Sequence, residues 1–202
     1  MAALLLIAAA LLGASVCAQD VPPEARIQAF TYNGAGCPTG TAKGDISLDG
    51  QVLTLKFSEF GVATDQQLVG KRKACQINIK VNIPAGWKYR LDTVRLRGYT
   101  GLDATVKGFH KVLYYFTGQQ GSSSYSIETP GPVDDNYEYS GAFDSELYSD
   151  CGASRNLNFK IEVRVNNDAD PAAQGMIDVD TADSQVTFLP SQVLYSIIFA
   201  PC

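Results

Sequence analysis

Strict two-residue alternation of apolar and polar side chains is the feature that most constrains the fold of this chain. Two segments, 75–83 (CQINIKVNI) and 157–165 (LNFKIEVRV), carry an apolar residue at every odd position and a polar residue at every even position. Successive side chains of a β-strand point to opposite faces, so each segment predicts a strand with one buried and one wet face. Strands of this kind are typical of antiparallel sheets.

The rest of the chain contains short β-type segments separated by Gly, Pro, Asp and Asn. Asp49-Gly50, between ISL and QVLTLKF, predicts a tight hairpin. Further strands are predicted at 27–32, 87–96, 102–107, 110–117, 124–128, 175–179, 184–189 and 192–199. No segment shows a sustained helical periodicity. We therefore predict an all-β fold, a two-sheet antiparallel sandwich with jelly-roll or Greek-key connections.

The N-terminal segment predicts secretion. Residues 4–14 form a short apolar run, and Val16-Cys17-Ala18 provides the small residues of a signal-peptidase site. We expect a signal peptide over residues 1–18 and a single mature domain over residues 19–202. The run is too short to cross a bilayer core about 30 Å thick, and a C-terminal lipid-anchor signal would remove Cys202. We therefore expect no membrane anchor.

The cysteines predict two disulfides. Loss of Cys17 leaves an even number, at positions 37, 75, 151 and 202. Of the possible pairings we favour Cys37–Cys75 and Cys151–Cys202, because neither loop then lies inside the other. The chain-entropy model gives each about 4 kcal/mol before strain. Zinc is disfavoured, because no CxxC pair occurs and His110 is the sole histidine.

Net charge and missing signatures exclude several function classes. A net charge of −5 argues against a nucleic-acid surface, which needs a basic stripe. A GxSxG or similar nucleophile signature is absent, so we expect His110 to be structural rather than part of a catalytic triad. We expect no cofactor.

Residues 118–150 are predicted to form the main irregular segment of the chain. The segment is rich in Gly, Ser, Pro and acidic residues, yet it also contains several aromatic residues. Long loops that keep aromatic residues often bind ligands on β scaffolds. The predicted binding residues are Tyr125, Asp134, Asp135, Tyr137, Tyr139 and Tyr148.

Carboxylates leave three alternatives open. One group lies in the same segment, at 134, 135, 138, 144, 146 and 150, and the second group is Asp178, Asp180 and Asp183. Such groups can bind calcium at the end of a sandwich, although neither has EF-hand spacing. A glycosidase would need two carboxylates facing across a cleft. A solvated acidic loop is the alternative that we favour.

Several segments, taken in order, resemble a family of secreted fungal and bacterial proteins that carry the domain of unknown function 4360. They are Gly36-Cys37-Pro38-x-Gly40, LDGQVLTLKFSEF (48–60), KACQINIKVNIPAGWKYRL (73–91), RGYTGLDATV (97–106), YYFTG (114–118), Gly131-Pro132, Cys151-Gly152 and Cys202. The family ends in an aromatic-basic-Cys segment, whereas this chain ends in Phe199-Ala200-Pro201-Cys202. The resemblance implies a small, secreted, disulfide-bonded protein and assigns no catalytic residue.

The functional hypothesis is a secreted, non-enzymatic protein that binds an extracellular polysaccharide or protein on a cell wall or host surface. One alternative is a carbohydrate-active hydrolase that uses an acidic pair near residues 134–150. Another is an effector or inhibitor that acts on a host protein. We expect a monomer.

Overall fold

A computed structural model describes residues 25–66, 68–152, 155–179 and 192–202. The predicted signal peptide, the predicted strand 184–189, Asp180 and Asp183 lie outside the described residues. Within these ranges the chain forms twelve β-strands and a one-turn helix. The strands are β1 (Arg26–Asn33), β2 (Ala42–Ile46), β3 (Val52–Phe57), β4 (Gly61–Ala63), β5 (Arg72–Asn82), β6 (Trp87–Leu102), β7 (Lys107–Phe116), β8 (Ser123–Pro130), β9 (Val133–Ala142), β10 (Asn156–Asn166), β11 (Gly175–Asp178) and β12 (Gln192–Pro201). The helix, α1, spans Leu68–Lys71.

Five strands form sheet A in the order β1-β5-β10-β7-β8, with every neighbouring pair antiparallel. β5 and β10 contain the two alternating segments and lie side by side inside the sheet. Their odd-numbered residues face the core, as the paired and fully buried Ile77 and Phe159 show. The strands predicted within sheet A, at 75–83, 157–165, 27–32, 110–117 and 124–128, are confirmed with small shifts of their ends.

Sheet B contains the other seven described strands, in the order β2-β3-β12-β6-β11-β4, and β9 also pairs with β6. Val94 and Leu96 of β6 pair with both β12 and β9, whereas Thr100 pairs with both β11 and β9. Because a strand has two edges, β12 and β11 share one edge of β6 and β9 occupies the other. Consecutive strands change sheet repeatedly, as in Greek-key sandwiches. The predicted two-sheet antiparallel sandwich is confirmed.

The core lies between the inner faces of the two sheets. Phe159 of β10 meets Tyr195 of β12 with ring centroids 4.5 Å apart, and Tyr89 of β6 meets Phe116 of β7 edge to face at 5.4 Å. All four rings are buried. Burying a large apolar side chain contributes about 1.5–3 kcal/mol, so these contacts between sheets hold the two layers together.

Both predicted disulfides are present. Cys37–Cys75 is buried, with a Cα–Cα distance of 5.4 Å, and ties the segment after β1 to β5. Cys151–Cys202 has a Cα–Cα distance of 6.0 Å and lies at the surface, where it joins the β9–β10 connection to the end of β12. The first bond therefore lies inside the core, and the second holds the C-terminal residue.

The interpretation of residues 118–150 as one long irregular segment is wrong. β8 and β9 occupy most of it, joined by a turn that contains the cis peptide Gly131-Pro132. β9 was missed because its alternation is interrupted. Asp135 pairs with the buried Thr100 and so takes an inward-facing position, but it is exposed at the edge of the sandwich.

The strand predicted at 102–107 is also wrong. β6 continues from Trp87 to Leu102, and residues 103–106 form a turn in which the Val106 N–H donates to the Asp103 carbonyl at 3.0 Å. Leu102 and Val106 are both buried, so their apolar character reflects the core rather than a shared strand. β6 runs through residues 97–101, the gap between the predicted strands 87–96 and 102–107, where glycines at 98 and 101 interrupt the strand pattern.

Candidate functional site

An open groove lies on the outer face of sheet B, where β9, β6, β11 and β4 meet. Its volume is about 330 Å³. The side chains that give it chemical character are Tyr99, Asp134, Asp103, Asp65, Gln174 and Met176. We call this feature the Tyr99 groove. Concave sites that combine apolar contact with a few polar groups are where ligands are usually held.

Tyr99 points outward because it occupies an outer position of β6, next to the inward Gly98 and Thr100. Gly101 is the next outer position, and a Cβ there would lie 3.1 Å from Tyr99 Oη. Glycine therefore leaves room for the phenol to reach the neighbouring strand β9. There the Tyr99 hydroxyl donates a hydrogen bond to Asp134 Oδ1. That hydrogen bond, followed by burial and the charges of nearby carboxylates, raises the pKa of Tyr99.

The opposite wall of the groove comes from β11 and the segment before it. Met176 pairs with Gly101 and is 39% exposed, so its thioether forms an apolar patch beside the tyrosine. Asp103 Oδ2 accepts the Gln174 N–H at 2.7 Å, and the Asp103 N–H donates to the Gln174 carbonyl at 2.9 Å. These two bonds fix one end of the groove.

A second depression adjoins the groove and shares Met176 and Ala63 with it. Its volume is about 270 Å³, and its charged side chains are Glu59, Lys73 and Asp178. Burial raises the pKa of Asp178, and the charge of Lys73 acts in the opposite direction. The concave surface thus continues beyond Met176 across the end of sheet B.

The predicted binding residues do not form one site. Asp134 lines the Tyr99 groove, whereas the neighbouring Asp135 faces the other side of β9. Tyr137 is 7% exposed and belongs to the core, contrary to the accessible position that a binding role requires. Tyr139 stacks on Tyr137 with centroids 4.7 Å apart and is partly buried. Inward positions on a strand, not a loop, explain the burial of both rings.

The two remaining tyrosines lie elsewhere. Tyr125 is on β8, partly buried against the edge of the core. Tyr148 covers the outer face of β6 near its start, with its ring 4.8 Å from Lys88 Nζ and 5.7 Å from Arg90 Cζ. The Tyr148 hydroxyl also accepts from Arg90 Nε at 3.3 Å. Tyr148 is therefore engaged in a cation–π cluster away from the groove.

Most acidic residues of the 134–150 segment have structural partners. Glu138 pairs with Arg95 and Arg97, Glu146 pairs with Arg90, Asp144 accepts from Ser123 and Ser124, and Asp150 accepts from Gln119 and Arg155. The described residues contain no group of three or more His, Cys, Asp or Glu placed to hold a metal ion. The calcium and acidic-pair hypotheses therefore gain no support from this segment.

His110 lies in the interior, 2% exposed, with its ring 4.8 Å from Tyr137 and 5.4 Å from Tyr139, centroid to centroid. Neither ring nitrogen has a hydrogen-bond partner among the described residues. Burial lowers the pKa of His110 to about 4. A triad histidine would need a carboxylate and a nucleophile at its two nitrogens, and this geometry offers neither.

Sequence reasoning missed Tyr99, Asp103, Gln174 and Met176. One local signal was available, because Tyr99 lies in Gly98-Tyr99-Thr100-Gly101, with a glycine on each side of an aromatic strand residue. Isolated glycines in strands often mark a close approach of neighbouring atoms. The contributions of Asp103 and Gln174 depend on contacts between distant segments, which no local pattern reveals.

Comparison with known proteins places the chain in a family. Residues 23–193 match the family described as "Domain of unknown function (DUF4360)". The chain belongs to this family. An "Uncharacterized secreted protein" of Arthroderma benhamiae is 34% identical over 171 residues, which cover 81% of this chain and 68% of the relative. The predicted family and the predicted secretion are confirmed. No helix among the described residues is long and apolar enough to cross a membrane.

Solved structures give only remote likenesses. TmCBM61 in complex with beta-1,4-galactotriose has a TM-score of 0.27 at 11% identity, covering 86% of this chain and 89% of that chain. The enzymatically active domain of tailspike protein 4 of bacteriophage CBA120 has a TM-score of 0.26 at 11% identity, covering 86% of this chain and 19% of that chain. Eiger TNF from S. frugiperda has a TM-score of 0.24 at 9% identity, covering 83% of this chain and 99% of that chain. Because these TM-scores are low, the ligands of the three proteins say nothing about what this chain binds.

Proposed function

We propose that this secreted protein binds a neutral polysaccharide in the Tyr99 groove without cleaving it. The observation that carries the proposal is the Tyr99–Asp134 pair, fixed by a hydrogen bond at the rim of a groove of about 330 Å³. Sugar rings present C–H faces and hydroxyl groups at once. An aromatic ring and a thioether suit the C–H faces, and carboxylate and amide oxygens accept from the hydroxyls.

The charge of the groove favours an uncharged polymer over an acidic one. Asp65, Asp103 and Asp134 line it, and none of its described lining residues is Lys or Arg. A cleft lined by one sign of charge repels ligands of the same sign. Carboxylated polysaccharides should therefore bind far more weakly than neutral ones.

Binding rather than hydrolysis is favoured by what the groove carboxylates already do. Asp134 accepts a hydrogen bond from the Tyr99 hydroxyl. Asp103 accepts a hydrogen bond from the Gln174 backbone N–H, which fixes one end of the groove. Glycosidases need one carboxyl free to protonate the leaving oxygen and a second free to act on the sugar. Two of the three groove carboxylates have other partners.

The test is a pull-down with the purified mature chain. The solid phases are an insoluble neutral glucan, chitin, a carboxylated polysaccharide, and an extracellular protein extract from a host. Tyr99→Ala is the test variant. Tyr115→Ala is the matched control, because Tyr115 is a partly buried tyrosine on the outer face of sheet A.

We expect retention on at least one neutral polymer, a loss of tenfold or more in Tyr99→Ala, and no change in Tyr115→Ala. Equal loss in both variants would contradict a site at Tyr99. Retention by the protein extract alone would favour the effector or inhibitor alternative, and release of soluble sugar would favour the hydrolase. Sedimentation of the same sample tests the predicted monomer.

A further inference from the structure

Four side chains form a polar cluster where sheet A meets β9, of which His110 and Tyr137 are buried and Thr129 and Tyr139 are partly buried. His110 of β7 packs on Tyr137 and Tyr139 of β9, at 4.8 and 5.4 Å between ring centroids. Thr129 Oγ1 of β8 donates to the Tyr139 hydroxyl at 2.8 Å. Both His110 nitrogens and the Tyr137 hydroxyl lack hydrogen-bond partners among the described residues. We call this feature the His110 cluster.

The His110 cluster is one of the contacts that attach β9 to sheet A, and the Tyr125 ring of β8 also packs against Gly141 of β9. Among the described strands, β9 pairs with β6 and lies at the edge of sheet B. Its contact with β8 includes the Thr129–Tyr139 hydrogen bond, and its contact with β7 includes the rings on His110. Edge strands have one hydrogen-bonded neighbour and open at lower free energy than central strands.

We infer that the His110 cluster is an acid-sensitive latch, and that protonation of His110 favours a form in which β9 has left the sandwich. β9 carries Asp134 on its outer face, next to Tyr99. Opening would therefore dismantle one wall of the Tyr99 groove. That last consequence rests on the proposed function, whereas the latch itself does not.

Among the described residues, neither ring nitrogen of His110 has a hydrogen-bond partner that could stabilise a positive charge. Its cross-strand partners are Val163 on β10 and Ile127 on β8, and the facing Tyr137 and Tyr139 are neutral phenols. The charged side chains next to it in register on β7, β8 and β10 are on the outer face of sheet A, and they are Lys111, Glu128, Glu162 and Arg164. On β9, Asp135 takes an inward position but is exposed at the edge of the sandwich. The charge of Asp178 on β11 contributes to raising the pKa of Tyr137, and burial is the cause that lowers the pKa of His110.

The size of the effect follows from the two protonation equilibria. Burial holds the pKa of His110 at about 4, against an ordinary value of 6.5 that the ring regains once β9 is open. The population of the open form at pH 4 should then exceed that at neutral pH by about a hundredfold. Above pH 7 the neutral ring favours the closed form.

The test is amide hydrogen exchange of the mature chain, followed by mass spectrometry at pH 7 and pH 4 and corrected for intrinsic rates. In the wild type we expect protection over β9 (Val133–Ala142) to fall by about a hundredfold at pH 4, with β10 (Asn156–Asn166) much less affected. His110→Leu replaces the imidazole by an apolar side chain of similar size that cannot be protonated. Its β9 protection should be the same at both pH values.

Two results would overturn the latch. One is an equal fall in β9 protection in the wild type and His110→Leu, and the other is an equal fall over β9 and β10. Should His110→Leu fail to fold, Tyr139→Phe decides, because it removes the hydroxyl that Thr129 binds. It should lower β9 protection several-fold at both pH values, and unchanged protection would overturn the proposal. The measurement uses no ligand, so its failure would not bear on the Tyr99 groove.

Discussion

The two faces of the β6–β9 pair show how differently one strand pair can treat polar groups. On the outer face, the Tyr99 hydroxyl is hydrogen-bonded to Asp134 and the groove around them is open to solvent. On the inner face, Tyr137 packs on His110, and neither the phenol oxygen nor the ring nitrogens have partners among the described residues. The outer face therefore presents polar groups to solvent, as the proposed binding site requires, whereas the inner face has no described hydrogen-bond partner for a charge on His110.

Glycines in β6 allow both arrangements. Gly98 faces inward, and a Cβ there would lie 2.7 Å from Tyr137 Oη and 2.1 Å from the Asp178 carbonyl oxygen. Gly101 faces outward and leaves room for Tyr99. The same strand thus accepts a buried tyrosine on one side and a groove tyrosine on the other. We therefore expect substitutions on the inner face to lower stability and substitutions on the outer face to lower ligand affinity.

The largest effect is expected on the inner face. Tyr137→Ala removes a buried aromatic ring and should lower the free energy of unfolding by about 3–5 kcal/mol. Asn136→Ala, an exposed neighbour on the outer side of β9, should change it by no more than about 0.5 kcal/mol. Denaturant midpoints measure both. Similar denaturant midpoints for Tyr137→Ala and Asn136→Ala would show that the two faces of β9 do not differ in their contribution to stability.

A comparable loss is expected from Cys202→Ser, which opens the exposed Cys151–Cys202 bond. The chain-entropy model gives a loss of about 2–4 kcal/mol, and the buried core is retained. Because this bond lies away from β9, polysaccharide binding and the pH response of β9 should match the wild type. An unchanged denaturant midpoint would show that Cys202 has no role in stability.

The pH dependence of stability tests the inner face directly. The folded pKa of His110 is about 4, below its ordinary value of 6.5, so the folded state prefers the neutral ring. That contribution is fully present above pH 6.5 and is lost as the pH falls through 4. At pH 4 the loss should be about 3 kcal/mol. It is measured as the difference between wild type and His110→Leu, because carboxylates titrate in both proteins. Parallel pH profiles would contradict the prediction.

The smallest effect on stability is expected on the outer face. Tyr99→Phe keeps the ring and removes the hydroxyl that donates a hydrogen bond to Asp134. Stability should change by no more than about 0.5 kcal/mol, while affinity for a neutral polysaccharide should fall several-fold. Titration calorimetry on a soluble fragment of the bound polymer measures this. A fall in stability without a fall in affinity would make the tyrosine structural.

The expectation that residues 118–150 form one irregular segment failed for a physical reason. The predicted group of tyrosines at 125, 137, 139 and 148 was assumed to lie on one loop, but strand pairing sends them to separate places. Tyr137 and Tyr139 are alternate residues of an edge strand whose pattern Asp135 interrupts. Side-chain direction in an edge strand depends on its register with β6, which is a contact between distant parts of the chain.

Local patterns in the sequence determined the strand character of this protein and its two-layer fold. Period-two alternation in β5 and β10 needs no tertiary information, since it follows from the geometry of a single strand. The cysteine pairing followed from the even number of cysteines in the mature chain and from the preference for two loops of which neither lies inside the other. The Tyr99 groove and the His110 cluster were decided by tertiary structure. Each joins residues from three or more strands, and only the register between those strands sets which groups meet and which face water.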